Sequence, residues 1–372
     1  MNVLVIATEE YLTLRLLKCL APLKAAVHIL GPRPGSALRA SRYCRRYHAA
    51  DFSALTDGVA IENICCDFQV DVILPSGIES VFLLSALEEK WEKEKREHAL
   101  PERREHALPQ TRLLPTPGGE QLRMLNNKWA FAQFLMRQAL PLPESRVIHR
   151  TDEVMSIDVA YPVIVKPLEM DASRGIKRCE TPQEAQAHAE QLTPLLPLLV
   201  QEYIPGVDIG LGIAARQGEI VGWTIQRVRP DGQGVDFIEQ PEALEIGRRI
   251  MAACQYEGIA HFDMRVDSRD GSVKVLECNP RFWASLPFSQ VAGVNFADLG
   301  IRLALGLPTP PLRYAPVSLA FPTKTLWGGL RGPATGLSRS KASRQALRAT
   351  LADPLPFVCL GAARVRRRLV TF

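Results

Sequence analysis

The residue types in GIAHFDMRVDSRDGSVKVLECNPRFWAS, 258–285, could hold a divalent cation beside an anion. Two alternating runs flank a three-residue loop of Arg269, Asp270 and Gly271, with the glycine in the left-handed conformation, and this pattern predicts a hairpin. In that register Asp263 faces Glu277 and His261 faces Asn279 on one side of the sheet, while Ala260, Phe262 and Met264 point to the other. Two carboxylates directly opposite each other repel unless one is protonated or a cation lies between them. Asp263, Glu277 and the side-chain oxygen of Asn279 form the oxygen donor set that magnesium prefers. Arg281 follows at once and adds a guanidinium for an anion. A solvated edge that tolerates like charges is the competing reading.

Two upstream segments add chemistry. In YPVIVKPLEMDASRGIKRCE, 161–180, an apolar strand ends at Lys166, which alone reads as a lysine with its head in water. Beside the small-residue loop Asp171–Gly175 it becomes a fixed ammonium next to mobile backbone amides, the combination a triphosphate requires. In LLVQEYIPGVDIG, 198–210, a strand closes on Gln201 and Glu202 before a turn with Pro205 and Gly206. That turn reads as a hinge between two lobes, where free backbone groups can pair with an adenine edge and Asp208 can accept from ribose hydroxyls.

These groups need a scaffold. VLVIA at 3–7, AAVHIL at 25–30 and DVILP at 71–75 are short apolar runs separated by amphipathic stretches at 11–20 and 57–69, which predicts an open parallel sheet with crossover helices. Such sheets bind ligands at the carboxyl ends of their strands, here near Thr8, Gly31 and Ser76–Gly77. No G-x-G-x-x-G follows the first strand, which disfavours a dinucleotide site. From 88 to 110 the chain is highly charged and holds the tandem duplication REHALPER-REHALPQ, read as a solvated insertion because each unit carries a proline. A helix is expected over 119–139, followed by an α+β module.

The domain boundaries read as 1–110, 111–197, 198–310 and a basic extension at 311–372. At 47% apolar and 23% charged residues, the 372-residue chain is composed like an ordinary globular protein, which excludes a disordered or fibrous one. The eight cysteines are scattered without zinc spacing and read as reduced, mostly buried thiols. No apolar run approaches the ~20 residues of a membrane span and the opening is not a signal peptide, so a cytoplasmic location is expected. Net charge is +5, yet positions 321–372 hold ten Lys or Arg and one Asp, leaving −4 for the rest. That asymmetry fits an acidic partner, nucleic acid, an anionic membrane or a solvated basic face. The apolar residues among the charges favour a structural tail with no nucleic-acid partner.

NNKWAF with Lys128, IVKP with Lys166, QEYIPGVD, HFDMR and LECNPRFW occur in that order, and the chain over roughly 1–310 resembles the ATP-grasp superfamily, in its carbamoyl-phosphate-synthase-like branch. The resemblance implies an α/β and α+β fold, with an N-terminal open parallel-sheet (pre-ATP-grasp) domain followed by a two-lobed ATP-grasp domain. It puts Lys128 and Lys166 on phosphates, Ser173 and Gly175 in the covering loop, Gln201, Glu202, Tyr203 and Ile204 at adenine, and Asp208 on the ribose. It puts Mg2+, with Mn2+ as a substitute, on Asp263, Glu277 and Asn279. Arg281 and Lys166 become catalytic, and Arg227, Arg229 and Arg265 candidates for a substrate carboxylate. The implied activity is an ATP-dependent ligase that joins a small-molecule or peptide carboxylate to an amine through an acyl phosphate, with a homodimer allowed. A bicarbonate-using carboxyphosphate former and a non-catalytic ATP-binding regulator are the alternatives. The chain departs from the pattern at MDASRGI, which has one glycine, at His261, where relatives carry Arg, and at Asn127, where Asp is common.

Overall fold

The computed structural model describes residues 1–32, 36–52, 58–97, 110–170, 174–331 and 337–360. The apolar runs near the N-terminus become β1 (Asn2–Ile6), β2 (Ala26–Pro32), β3 (Cys44–Ala50) and β4 (Val72–Pro75). With β5 (Arg112–Leu113) they form one parallel sheet in the order β3-β2-β1-β4-β5, crossed by α1 (Glu10–Leu20), α2 (Val59–Phe68) and α3 (Ile78–Glu97). The order reverses between β1 and β4, and the expected ligand-facing residues Thr8, Ser76 and Gly77 sit at that switch point. A Cβ on Gly77 would lie 2.5 Å from Thr8 Oγ1, so the close approach there needs glycine.

The charged stretch 88–110 is not one insertion. Helix α3 continues to Glu97, because Trp91 is buried in the domain core and its Nε1 donates to Glu62 at 2.9 Å. Most of the duplication, 98–109, lies outside the described residues. The single helix expected over 119–139 is two, α4 (Gly119–Asn126) and α5 (Lys128–Arg137). Asn127 leaves the helical region at φ −84°, ψ 117°, and its side chain accepts from the N–H groups of Trp129 and Ala130. That cap restarts the helix and sets Lys128 on its first turn.

A four-stranded antiparallel sheet forms the first lobe: β6 (Ser145–Ile148), β7 (Val163–Pro167), β8 (Lys177–Cys179) and β9 (Leu198–Glu202), in the order β6-β9-β7-β8, backed by α6 (Pro182–Gln191). Because β9 pairs with β6 and β7, the first lobe extends to Glu202, past the expected boundary at 197. The second lobe holds β10 (Gly206–Arg216), β11 (Glu219–Val228), β12 (Gly234–Phe237), α7 (Pro241–Ala253), β13 (Gly258–Asp267), β14 (Val273–Asn279), α8 (Leu286–Val291) and α9 (Phe296–Ala304). Ile209, Leu211 and Ile213 on β10 meet Phe262 and Met264 on β13 and Ile246 and Ile250 on α7 in one core. The N-terminal sheet is fused to this lobe, since Val5, Leu14 and Leu17 share a buried cluster with Phe282, Trp283 and Phe296.

The basic extension is built in. β15 (Val317–Ala320) adds an edge strand to the second-lobe sheet beside β12, and α10 (Pro322–Arg331) and α11 (Lys341–Leu351) follow. Buried Asp353 accepts from Ser41 Oγ and the Arg42 N–H, while Phe357 and Leu360 pack against the α1 core. Among the described residues no helix is long and apolar enough to cross a membrane. All eight cysteines are free, and four of them are buried.

Candidate functional site

Strands β13 and β14 pair as the sequence requires: Asp263 opposes Glu277, His261 opposes Asn279, and Ala260, Phe262 and Met264 are buried on the other face. The route to that register differs. Met264 pairs with Val275, so Leu276 is an extra residue on β14 that compensates for a turn one residue longer than expected. Gly271 adopts the left-handed conformation at φ 78°.

The two carboxylates are unequal. Burial and the neighbouring Glu277 hold the Asp263 carboxyl well above its ordinary range, although 44% of its side chain is open. Burial also works against charge on Glu277, but Lys128 and Lys166 outweigh it and hold its pKa below the ordinary value. Lys128 Nζ lies 3.4 Å from Glu277 Oε2 and 2.7 Å from the Met170 carbonyl. Lys166, buried on β7 of the other lobe, has its pKa lowered to about 8 by desolvation. An acid pair with one ammonium group in contact, Lys128 of α5, and a second within electrostatic reach, Lys166 of β7, therefore lies where the lobes meet.

Asn279 faces the pair through its amide nitrogen, with Nδ2 3.1 Å from Asp263 Oδ2 and 3.5 Å from Glu277 Oε1, while its Oδ1 accepts from Arg281 Nη2 at 3.2 Å. Its oxygen reaches the carboxylates only if the amide turns over and Arg281 releases it. His261 Nδ1 is 3.5 Å from Asp263 Oδ1, and burial lowers its pKa to about 3, so a neutral imidazole stands where an arginine occurs in the related pattern.

The remaining expected residues divide. The Glu202 carboxylate takes the Arg269 guanidinium at 2.8 Å and is committed there. Gln201 is buried and its Nε2 donates to Ser145 Oγ at 2.9 Å, so its side chain holds β6 to β9 and does not reach the cleft. Tyr203 lies between guanidiniums, with Arg178 4.0 Å and Arg265 5.2 Å from its ring centre. Ile204 is buried, and among the described residues its N–H has no hydrogen-bond acceptor. Arg265 donates to Asp208 at 2.7 Å, so the residue expected at a substrate carboxylate is paired with the one expected at the ribose. Arg227 and Arg229 both pair with Asp236, and strand alternation puts Arg227 on the face of Ile225, away from Asp263. The structure therefore does not bring those two arginines to the site. Gly175 has φ 73°, and its carbonyl accepts from His188 Nε2 at 3.0 Å, making that histidine a buried loop anchor. Ser173 lies outside the described residues.

Sequence reasoning missed the rest of the floor. Gly210 and Gly212 on β10 oppose Asp263 and His261, and Gln226 and Thr224 on β11 continue the same face. A Cβ on Gly210 would lie 2.6 Å from His261 Nε2, and one on Gly212 2.4 Å from Trp283 Cζ2. The alternation of glycine with large apolar residues in DIGLGIA was the available signal: side chains on one face only, with something lying over the other.

The family model for a RimK-like ATP-grasp domain matches residues 125–233, and the model for the ATP-grasp in the biosynthetic pathway with Ter operon matches 195–320. The carbamoyl phosphate synthase large chain of Hyperthermus butylicus is 27% identical over 213 residues, 52% of this chain. The chain spans only 20% of that relative's own length. Among solved structures, the carboxyaminoimidazole ribonucleotide synthase from Aspergillus clavatus complexed with ATP aligns over 96% of this chain and 98% of its own, at 17% identity and a TM-score of 0.65. The L-amino acid ligase from Bacillus licheniformis aligns over 82% of this chain and 74% of its own, at 16% identity and a TM-score of 0.58.

Proposed function

From the premise that this chain is a member of the ATP-grasp superfamily, we propose that it is an ATP-dependent ligase, which activates a carboxylate as an acyl phosphate and joins it to an amine with release of ADP and phosphate. The observation that carries this reading is the Asp263–Glu277 pair, with Lys128 in contact and buried Lys166 of a separate element within electrostatic reach. A protein that only bound a nucleotide has no need of two opposed carboxylates at the meeting of two lobes. Asp263 and Glu277 would hold a magnesium ion, with Asn279 completing the set once its amide turns over. The fit rests on the raised carboxyl of Asp263, which marks a place where a cation relieves repulsion. Bound there, magnesium supplies positive charge against the phosphate oxygens.

Lys128 and Lys166 hold the phosphates, and the Ile204 N–H pairs with the adenine edge. Arg281, whose Nη2 exchanges the Asn279 oxygen for phosphate when that amide turns, neutralises the phosphoryl group in transfer. Catalysis is then positioning and charge neutralisation without a protein nucleophile. His261 and Gln226 present neutral groups on the floor beside the pair. The amine enters as the free base and displaces phosphate from the acyl carbon.

The test is to incubate the protein with MgATP and pools of carboxylic acids, with and without amines, following ADP and AMP separately. A carboxylate and an amine that together raise ADP release and yield a mass equal to their sum minus water support the reading. AMP formation overturns it, and release stimulated by bicarbonate alone replaces it with carboxyphosphate formation.

A further inference from the structure

On the side of the N-terminal domain remote from the cleft, a groove of about 430 Å³ is lined by Lys24, Arg42 and Arg45 together with Tyr43 and the backbone that leads into β2. No carboxylate lines it, and the three cations are exposed. Unpaired positive charge around a recess this size suits a phosphate-bearing headgroup.

The groove continues into an apolar surface. Arg42 Nη1 donates to the Ala352 carbonyl at 3.3 Å, joining the groove to the end of α11 and the helical turn beyond it. There Phe357 and Leu360 face inward against α1, while Leu351, Leu355 and Val358 are turned out and are 51%, 60% and 65% exposed. Packing against α1 does not require those three. Asp353, the one acidic residue of 321–372, is buried against Ser41 and Arg42, so among the described residues of that stretch no side-chain carboxylate is presented to solvent.

We propose that this face docks on an anionic membrane surface, with lipid phosphates in the Lys24–Arg42–Arg45 groove and Leu351, Leu355 and Val358 in the headgroup boundary. Cations and apolar side chains on one exposed face are what such a surface binds, each cation contributing about 1 kcal/mol and each apolar group adding its transfer free energy. Duplex nucleic acid would use the cations and leave the apolar three in water. A soluble phosphate would use only the groove.

The experiment is sedimentation of the full chain with vesicles of phosphatidylcholine alone or mixed with phosphatidylglycerol. Binding is expected only to the mixed vesicles and weakens as salt is raised. Lys24→Asn with Arg45→Thr should weaken it by about 30-fold, and Leu355→Ser with Val358→Ser by at least about tenfold. Asn is chosen at 24 because the backbone there is left-handed at φ 52°. Thermal melts matching the unsubstituted protein establish that the variants fold. Failure to bind mixed vesicles at low salt overturns the proposal, as do undiminished binding by either folded pair variant, tighter binding to duplex DNA than to vesicles, and complete displacement by inorganic phosphate.

Discussion

Asp263 and Glu277 stand directly opposite each other on neighbouring strands, yet their proton affinities move in opposite directions, Asp263 up and Glu277 down. The difference lies chiefly in Lys128, whose Nζ contacts Glu277, with Lys166 adding positive charge nearby. Without a cation, burial and repulsion within the pair favour the neutral form of Asp263, while Glu277 serves as the counter-charge for the lysines.

That asymmetry separates two variants that a sequence-only reading treats alike. Asp263→Asn and Glu277→Gln should each lower magnesium-dependent turnover by about two orders of magnitude or more. In the metal-free protein, Asp263→Asn should leave the melting temperature unchanged or raise it, because it removes a carboxyl already driven towards neutrality. Glu277→Gln should lower it, because Lys128 and Lys166 lose their partner. Equal melts for the two would show that the charges are not divided this way.

Lys166 carries a cost of its own. Its pKa, lowered from 10.5 to about 8 by burial, means that the folded state holds the charged form at a penalty of at most about 3 kcal/mol at neutral pH. The sign follows from proton binding: between about pH 8 and 10.5 the unfolded chain binds more protons at this site than the folded one, so the Lys166 contribution to stability rises with pH across that window and is constant below it. Lys166→Met should therefore stabilise the nucleotide-free protein, lose this part of the pH dependence, and weaken ATP binding. Chemical denaturation at pH 7 and pH 10, together with nucleotide titration, measures all three. A destabilised variant would place the ammonium in a better-solvated position than the structure gives it.

The features legible in the sequence were those written in local pattern. Strand alternation and turn chemistry gave the face of Asp263, Glu277 and Asn279, and the compensating bulge at Leu276 left that face unchanged. The parallel sheet was legible because strands buried on both faces read as apolar runs. Asn127 was a readable helix start, but the apolar pattern through 119–139 masked it. Trp91 sits in a charged stretch whose burial is set by Glu62, a partner far away in sequence. The same limit hid the fates of Arg227, Arg229 and Arg265: a sequence shows that a guanidinium is present, while the carboxylate that occupies it, Asp236 or Asp208, is a matter of tertiary pairing.

Gly212 tests the floor beside the acid pair. A Cβ there would lie 2.4 Å and 2.6 Å from two ring carbons of Trp283, a buried side chain with little room to yield. Gly212→Ala should cost about 1–3 kcal/mol and change tryptophan emission. Because Trp283 is two residues from Arg281, turnover should fall as well. A variant with unchanged emission and melting would mean that Trp283 does not lie over β10.

The extension beyond Ala320 is tied to the N-terminal domain. Its binding to the N-terminal domain is centred on Asp353, buried and accepting from Ser41 Oγ and the Arg42 N–H, with Lys18 Nζ 4.5 Å from the Phe357 ring centre close by. Removing the carboxylate leaves a buried hydroxyl and a backbone N–H without their acceptor, so Asp353→Ala should cost about 1–3 kcal/mol. Ser41→Ala alone should cost less, because the Arg42 N–H keeps its acceptor. In the double variant the Ser41 substitution should add little, giving a coupling of about 0.5 kcal/mol or more. Truncation after Ala320 removes the whole contact and should lower the cooperativity of unfolding, since α11 also closes the small core around Val235, Phe237, Leu319 and Ala346. Urea denaturation of the single, double and truncated proteins reads these outcomes on one scale. Strict additivity of the two substitutions, with a truncated protein as stable as the full chain, would show that the extension lies on the domain without holding it.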